Sequence, residues 1–296
     1  MSDQGAPTAD AGITVVIPAY NEEQGLAGTL QQLLSVLKDA GLPHEIIVVD
    51  DGSTDHTPGI AAQFEEVVLL KHATNRGYGA SLKRGIAAAR YAVIAITDAD
   101  GTYPSSAIPR LASLLTGDTD MVVGWRKGFA ARIPLLRRPA KWAIEKLAQS
   151  LAGYAIPDLN SGLRVFRREI ALGHDRLLPD GFSFTTTITL LIASAGGKIV
   201  YDPIPYADRK GRSKFHPITD TWNMITLIVR SVLLFNPLRV FVPIALGCLA
   251  LAAAVLVYAL LFLDRVPDGT VSVLAVAGIQ ILVMGLLADL INRRAG

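Results

Sequence analysis

Two carboxylates stand one residue apart in the segment ITDADGTYP, residues Ile96–Pro104. Asp98 and Asp100 follow an apolar run that predicts a buried strand, and a glycine comes directly after them. Charged groups are costly to place at the end of a buried strand unless they are paired. Proteins hold Mg²⁺ with one or two carboxylates plus substrate phosphates. The pair therefore predicts a divalent-metal site, although an isolated Asp-x-Asp also caps many ordinary turns.

The elements before this pair alternate between apolar, β-branched runs and helical stretches. The predicted strands are Ile13–Pro18, Glu45–Val49, Val67–Leu70 and Tyr91–Thr97, and the clearest predicted helices are Asn21–Ala40 and Tyr78–Arg90. Such alternation predicts an α/β fold with a mainly parallel sheet and helices on both faces. Ligands of such sheets bind beyond the carboxyl ends of the strands. The polar clusters PAYNE, DDGSTD and DADG all follow predicted strands, which points to one shared site.

The C-terminal part of the chain is far more apolar. The segments Val240–Leu263 and Thr270–Ala288 contain no Asp, Glu, Lys or Arg, and each is close to the roughly 20 residues that cross a bilayer as a helix. The connector between them carries Pro and Gly. We expect a transmembrane helical hairpin, with a buried pair of soluble helices as the alternative. Positive residues flank the pair on its outer sides, which predicts a cytoplasmic N-terminal domain: Arg230, Arg239, Arg293 and Arg294.

These patterns divide the chain into four parts. Residues 1–12 are a predicted flexible tail, 13–215 a catalytic domain, 216–236 an interfacial amphipathic helix, and 237–296 the hairpin. Packing of the third part on the catalytic domain is the alternative. The single cysteine, Cys248, excludes a disulfide framework and a cysteine metal site. The net charge of +2 gives no indication of a nucleic-acid partner.

Five ordered motifs together carry a family resemblance: GITVVIPAYNEE, IIVVDDGSTD, NRGYGASLKRG, ITDADGTYP and NSGLRVF. They resemble the family 2 glycosyltransferases. Within that family they are most similar to the polyprenyl-phosphate glycosyltransferases, a group that includes dolichol-phosphate mannose synthase. The resemblance covers about residues 13–215 and implies a fold of the GT-A type. In that fold a nucleotide-binding half precedes an acceptor half.

The resemblance also implies roles for individual residues. The nucleotide-sugar would lie against Pro18, Tyr20, Glu22, Asp51, Asp98 and Asp100. The metal, Mg²⁺ or Mn²⁺, would be held by Asp98 and Asp100. The acceptor phosphate would be bound by Arg126, Arg137, Arg138, Ser161, Arg164, Arg209, Ser213 and Lys214. The residues expected to act directly in catalysis are Asp98, Asp100, Arg126 and Arg209.

The chain departs from its relatives at two places. Thr102 stands where many relatives have Gln, which leaves a metal-shell role for that position open. The segment GFSFTTTI has threonines at 185–187 where relatives often place a Glu. The loop Asn75–Gly79 either borders the nucleotide-sugar or is a plain turn before a helix. No metal-ligand spacing connects the histidines, and we expect all five to lie at the surface: His44, His56, His72, His174 and His216.

The chemistry of the acceptor decides between the candidate reactions. A sugar hydroxyl needs a carboxylate base, whereas a phosphate monoester, with its second pKa near 6, is already mostly a dianion at neutral pH. We therefore predict an inverting transfer of one sugar from a nucleotide diphosphate-sugar to a polyprenyl phosphate at the cytoplasmic face of the inner or plasma membrane. Transfer to a lipid or glycan hydroxyl, or a non-catalytic role in glycan assembly, are the alternatives. The sugar, the base and a possible homo-oligomer stay open.

Overall fold

The computed structural model describes residues 12–126, 156–205, 233, 237–263 and 267–295. Within these ranges seven strands form one sheet, in the order β3-β2-β1-β4-β6-β5-β7. The strands are β1 Ile13–Ala19, β2 His44–Asp50, β3 Val67–Lys71, β4 Val93–Ile96, β5 Met121–Arg126, β6 Arg164–Arg167 and β7 Ile199–Ile204.

The sheet is parallel except at β6. Strand β6 runs antiparallel to both of its neighbours, β4 and β5, while the other pairs are parallel. The chain builds outward from β1 to β3 and then returns to add β4 on the other side of β1. The strand order therefore reverses between β1 and β4, and in open α/β sheets the ligand crevice lies at such a point. The predicted α/β architecture is confirmed.

Helices cover both faces of the sheet, as expected for strands that are buried on both sides. In the described ranges they are α1 Leu26–Asp39, α2 Thr57–Ala61, α3 Tyr78–Ala88, α4 Ile108–Ser113, α5 Arg168–Gly173, α6 Phe184–Ser194, α7 Leu238–Phe262 and α8 Asp268–Ala295. One face packs on the leucines of α1, and the opposite face packs on α3 and α6. Successive residues of β1 alternate between these cores, with Val15 in one and Val16 in the other.

Helix α1 begins later than the sequence predicts. The expected start at Asn21 is replaced by a turn, and the helix starts at Leu26. Asn21 adopts a φ of 56°, a left-handed conformation that Asn tolerates better than most residues but that no helix can contain. The periodic leucines gave the helix correctly, but periodicity carries no information about a turn of this kind.

Helices α7 and α8 form the C-terminal pair that the sequence predicts. By length and composition both could cross a membrane: the apolar spans are Leu238–Phe262, with mean hydropathy 2.7, and Asp268–Ile291, with mean hydropathy 2.4. The helices pack against each other through small residues. A Cβ atom on Gly278 would lie 2.8 Å from Leu249 Cγ, and one on Gly285 would lie 2.5 Å from Phe241 Cβ. Small residues allow this close approach where no hydrophobic effect drives two helices together.

The predicted interfacial helix, residues 216–236, lies outside the described residues apart from position 233. So do residues 1–11 of the predicted tail. Both assignments remain predictions.

The close contact at Gly285 gives a test of the hairpin. We expect Gly285→Ala to lower the free energy of unfolding of the helix pair by about 1–3 kcal/mol. The added methyl group would overlap Phe241, so the two helices would have to shift apart. Gly247→Ala is the matched control, since a Cβ there meets nothing within 4 Å. Thermal unfolding in detergent micelles measures the difference. Equal melting temperatures for the two variants would contradict this packing.

Candidate active site

The motifs that follow β1 and β2 are joined by hydrogen bonds at the carboxyl edge of the sheet. The Asn21 backbone N–H donates to Ser53 Oγ at 3.0 Å, and the Thr54 N–H donates to Asn21 Oδ1 at 2.9 Å. The left-handed turn at Asn21 brings these groups together. It also fixes the flanking Tyr20 and Glu22 beside the point where the strand order reverses.

Pro18 lies inside β1, where a proline is unusual. The pairing of β1 with β4 extends only to Val16 and Ile96, so Pro18 lies beyond it and pairs with Val49 of β2 alone. A residue without an N–H is therefore tolerated here at little cost. Contact of Pro18, Tyr20 or Glu22 with a nucleotide stays a prediction.

Asp51 organises the loop that leads into α3. Its buried carboxylate accepts hydrogen bonds from His72 Nδ1 at 2.7 Å, from the Arg76 N–H at 2.9 Å and from the Gly77 N–H at 2.8 Å. The expectation that His72 is a surface residue is wrong, because its side chain is only 2% exposed and pairs with Asp51. Since Asp51 holds this loop, any nucleotide contact that it makes would be made by an already fixed carboxylate.

The glycines of the Asn75–Gly79 loop serve a close backbone contact. A Cβ atom on Gly77 would lie 2.5 Å from the Asp180 carbonyl oxygen, and one on Gly79 would overlap the Pro179 carbonyl. The Ala80 N–H donates to Asp180 O at 3.0 Å. The loop packs under the segment 178–182, and its contact with a nucleotide-sugar stays a prediction. The amides of residues 76, 77 and 80 are already bonded within the protein.

Asp100 is fixed by Thr102, the residue whose role the sequence left open. The Thr102 hydroxyl donates to Asp100 Oδ1 at 2.6 Å, and the Thr102 N–H donates to the same atom at 3.1 Å. Gly101 allows this turn because its φ of 72° lies in the left-handed region. Asp100 is 8% exposed and Thr102 is 1% exposed, so the contact is internal. The open question about residue 102 thus has a structural answer: Thr102 orients the carboxylate of Asp100.

Asp98 lies between two other segments. The Tyr78 hydroxyl donates to Asp98 Oδ1 at 3.3 Å, and a Cβ atom on Gly162 would lie 3.0 Å from both carboxylate oxygens. Glycine is therefore needed at position 162 to leave room for the carboxylate. Burial, and then the negative charge of Asp98, raise the pKa of Tyr78 well above its ordinary value. The phenol consequently remains a neutral hydrogen-bond donor.

The turn that carries this acidic pair is supported from below by the start of α1. The Thr29 hydroxyl donates to Ala99 O at 3.0 Å. A Cβ atom on Gly25 would lie 2.8 Å from Asp100 Cα, so the helix approaches the turn as closely as glycine permits. The backbone between the two carboxylates is thereby held from the α1 face of the sheet.

The donor atoms of this pair suit a hard divalent cation. In the described ranges no group of three or more His, Cys, Asp or Glu comes together as a complete metal cage. Two carboxylates with ligands supplied by a substrate diphosphate are a normal Mg²⁺ site. Asp98 and Asp100 are the residues that would hold the ion, which would balance the negative charge of a diphosphate.

A second charged pair lies at the same edge of the sheet. Arg126 ends β5, which runs in the same direction as β4, and its guanidinium binds the Asp158 carboxylate through Nε and Nη2, each at 2.8 Å. Burial on its own would raise the pKa of Asp158, but hydrogen bonds and charge from Arg126 outweigh it, and the net pKa is lowered. The pair is therefore fully charged at neutral pH and is lost only in acid, as the pH falls through this lowered pKa.

Asp158 is the residue of this pair that sequence reasoning missed. It stands in IPDLNSGLR, two positions before the motif that carries part of the family resemblance. A lone charge among apolar residues just upstream of a recognised motif is a signal that could have found it. Its partner can be known only from the fold, because the two residues are 32 positions apart.

Two predicted acceptor ligands prove to be internal supports. Arg164 and Ser161 are both 0% exposed. The Arg164 guanidinium donates to Leu159 O and Ser161 O, each at 2.7 Å, and also to the Thr189 hydroxyl. The Ser161 hydroxyl donates to Gly124 O at 2.6 Å. We therefore correct both assignments: these side chains hold the segment 158–162 in place rather than meet an incoming phosphate.

The remaining predicted acceptor residues lie outside the described residues. They are Arg137, Arg138, Arg209, Ser213 and Lys214.

Comparison with known proteins agrees with this fold. Residues 14–173 match the model of glycosyl transferase family 2, and residues 236–293 match the model of the GtrB C-terminal hairpin. The chain belongs to glycosyl transferase family 2. The prediction that it is a glycosyltransferase is thereby confirmed.

Two curated relatives extend the comparison. A dolichyl-phosphate hexose transferase of Haloferax volcanii is 32% identical over 207 residues, which are 69% of this chain and 87% of that protein. An undecaprenyl-phosphate 4-deoxy-4-formamido-L-arabinose transferase of Aeromonas hydrophila is 28% identical over 294 residues, 95% of this chain and 88% of that protein.

Solved structures share the fold. Glucosyl-3-phosphoglycerate synthase from Mycobacterium tuberculosis, in complex with uridine diphosphate, gives a TM-score of 0.61 at 21% identity, covering 75% of this chain and 80% of that one. Mannosyl-3-phosphoglycerate synthase from Rubrobacter xylanophilus gives a TM-score of 0.57 at 21% identity, covering 75% and 73%.

The corrected role of Arg164 can be tested by its effect on stability. Arg164→Met leaves buried carbonyl groups without a hydrogen-bond donor, and each unsatisfied carbonyl lowers the stability of the folded protein by about 1–3 kcal/mol. We expect its melting temperature to fall by about 2–4 °C for every kcal/mol lost. Arg167→Met, on the same strand, is the control, because that guanidinium bonds Thr116 O near the surface. A stable Arg164→Met protein with only a raised KM for a lipid phosphate would restore the original assignment.

Proposed function

We propose that this protein transfers a single sugar, with inversion, from a nucleotide diphosphate-sugar to a polyprenyl phosphate. The product would be a lipid-linked monosaccharide made at the cytoplasmic face of a membrane. The observation that carries the proposal is the combination, in one chain, of a glycosyltransferase site with a pair of membrane-length helices. The Aeromonas relative, which matches 95% of this chain, is named as an undecaprenyl-phosphate sugar transferase.

The donor half of the reaction depends on Asp98 and Asp100. When the bond between sugar and diphosphate breaks, negative charge develops on the departing nucleotide, and a bound Mg²⁺ or Mn²⁺ would stabilise that charge. The two aspartates would hold the ion, with Thr102 fixing the Asp100 carboxylate. Divalent metal use is consistent with the synthase of Mycobacterium tuberculosis, which was crystallised with Mn²⁺ and uridine diphosphate.

The acceptor half favours a phosphate over a hydroxyl. A hydroxyl acceptor needs a general base, and Asp158 is a described carboxylate at the same edge of the sheet as the acidic pair. Its lowered pKa and its bidentate ion pair with Arg126 make Asp158 a weak proton acceptor. A phosphate dianion needs no base but does need cations to hold it. Arg126, already oriented by Asp158, would contribute to that binding, together with the predicted basic residues Arg137, Arg138, Arg209 and Lys214.

The C-terminal hairpin would anchor the catalytic domain at the membrane surface. A polyprenyl chain stays in the lipid while its phosphate must reach a site in a water-exposed domain. Positive residues on the outer flanks of the hairpin favour a cytoplasmic catalytic domain in an inner or plasma membrane. Helices α7 and α8 would thereby hold the carboxyl edge of the sheet near the headgroups.

The test is a transfer assay with protein reconstituted in lipid and supplied with Mg²⁺ or Mn²⁺. A panel of nucleotide-sugars is offered with undecaprenyl phosphate, and in parallel with undecaprenol, which has the same chain and a hydroxyl group. We expect transfer to the phosphate only. Asp100→Asn should lower the rate at least 100-fold, since about 2.7–4 kcal/mol is typical for one lost charge-stabilising group.

Asp118→Asn is the matched control for that variant. Asp118 is an exposed carboxylate paired with Lys198 at 2.6 Å. It precedes the start of β5, at the opposite end of that strand from the site, and its neutralisation should leave the rate unchanged. Transfer to undecaprenol at a rate equal to that with the phosphate would favour the hydroxyl alternative. An unaffected Asp100→Asn enzyme would refute the metal role.

A further inference from the structure

One large apolar side chain is far more exposed than its neighbours in the catalytic region. Phe182 is 85% exposed, whereas the next most exposed large apolar residue among those described up to residue 205 is Val68, at 45%. An isolated exposed apolar residue needs no explanation, but this ring lies beside the site. It stacks on Tyr78, with ring centroids 5.6 Å apart and planes inclined by 17°. One face of Phe182 is thus covered, and most of the ring is open to solvent.

The segment that carries Phe182 is firmly seated. Asp180 accepts a hydrogen bond from the Ala80 N–H at 3.0 Å and pairs with Lys83 at 2.5 Å. Lys83 also donates to Leu178 O at 3.2 Å. The glycines at 77 and 79 allow the backbone of this segment to lie directly on α3. The position of the ring is therefore fixed by the contacts of the residues that precede it.

The stacked pair reaches the acidic site through one hydroxyl group. Tyr78, under Phe182, donates to Asp98 Oδ1 at 3.3 Å. Asp98 is one of the two carboxylates that would hold the metal and, through it, the diphosphate of the donor. The sugar is bonded to that diphosphate, so it lies only one phosphate group away from the metal. Only the side chain of Tyr78 lies between Phe182 and the Asp98 carboxylate.

We propose that Phe182, supported by Tyr78, is a stacking platform for the sugar of the nucleotide-sugar donor. The inference rests on the proposed function and assigns a sugar-positioning residue within it. The C–H groups on one face of a sugar ring are polarised by their neighbouring oxygens and carry a partial positive charge. They are attracted to the negative face of an aromatic ring. Phe182 and Tyr78 would thus hold the sugar without a hydrogen bond to any one hydroxyl.

The prenyl chain of the acceptor is the competing occupant of this surface. It is bonded to the attacking phosphate, which approaches the sugar from the side opposite the departing diphosphate in an inverting reaction. The donor sugar therefore lies between Asp98 and the first carbon of the prenyl chain, so the prenyl chain begins further from Asp98 than the sugar. The direct link from Phe182 through Tyr78 to Asp98 favours the sugar.

The experiment compares Phe182→Ala, Phe182→Leu and Phe182→Trp in the full-length reconstituted protein. Leu177→Ala, which changes an exposed apolar residue on the preceding segment, is the control. The donor is the nucleotide-sugar that the wild type uses best, and the acceptor is undecaprenyl phosphate or a short-chain prenyl phosphate. Binding of the matching sugar-free nucleotide diphosphate is measured by calorimetry. Donor hydrolysis is measured without acceptor.

We expect Phe182→Ala and Phe182→Leu to raise the donor KM about tenfold, the effect of one aromatic contact. Phe182→Trp should stay close to the wild type. Affinity for the sugar-free nucleotide should be unchanged, and donor hydrolysis should fall together with transfer. Leu177→Ala should match the wild type in every assay.

Two results would overturn the inference. In the first, Phe182→Ala behaves like Leu177→Ala towards the donor. In the second, the defect appears only in the acceptor KM and grows with chain length, which would assign the ring to the prenyl chain. Failure of the wild type to transfer sugar to any prenyl phosphate would instead refute the proposed function. Donor hydrolysis by the variants would still test Phe182.

Discussion

The turn that holds Asp98 and Asp100 at the carboxyl edge of the sheet is the constraint on which the proposed site depends. Asp98 and Asp100 follow the same short strand, and the turn between them is fixed by Gly101, Thr102 and the start of α1. They cannot move apart without breaking that support. In the proposed function, a divalent cation bound to these carboxylates would balance their negative charge and would attract a diphosphate. In the proposed reaction the two fixed carboxylates would bind a nucleotide-sugar through a cation that they share with its diphosphate.

The reversed strand β6 brings the acceptor side to the same place. Because β6 runs antiparallel to β4 and β5, the segment just before it returns to the carboxyl edge, where Gly162 lies against Asp98 and Asp158 meets Arg126. Buried Arg164 fixes this segment through the carbonyl groups at 159 and 161. A single change of strand direction therefore brings the carboxylates that would hold the metal close in the fold to the ion pair that would face the second phosphate.

The sequence predicted what depends on local patterns and on ordered motifs. The alternating apolar runs predicted the sheet and a site at the carboxyl ends of its strands. The two uncharged segments predicted the C-terminal helix pair. It failed where the answer depends on a partner distant in the chain. Arg164 and His72 carry polar groups that suggest a surface role, but burial is decided by strands and loops that meet only in the fold. Asp158 was missed for the same reason.

The most direct test of the central claim is to measure Mn²⁺ binding by electron paramagnetic resonance, with and without a nucleotide diphosphate. If the carboxylate pair and the diphosphate share one ion, Mn²⁺ should bind weakly to the protein alone and at least tenfold more tightly when the nucleotide is present. This gain should be lost in Asp98→Asn and in Asp100→Asn. Mn²⁺ binding that the nucleotide does not tighten, or that is the same in the wild type and in both variants, would contradict the account.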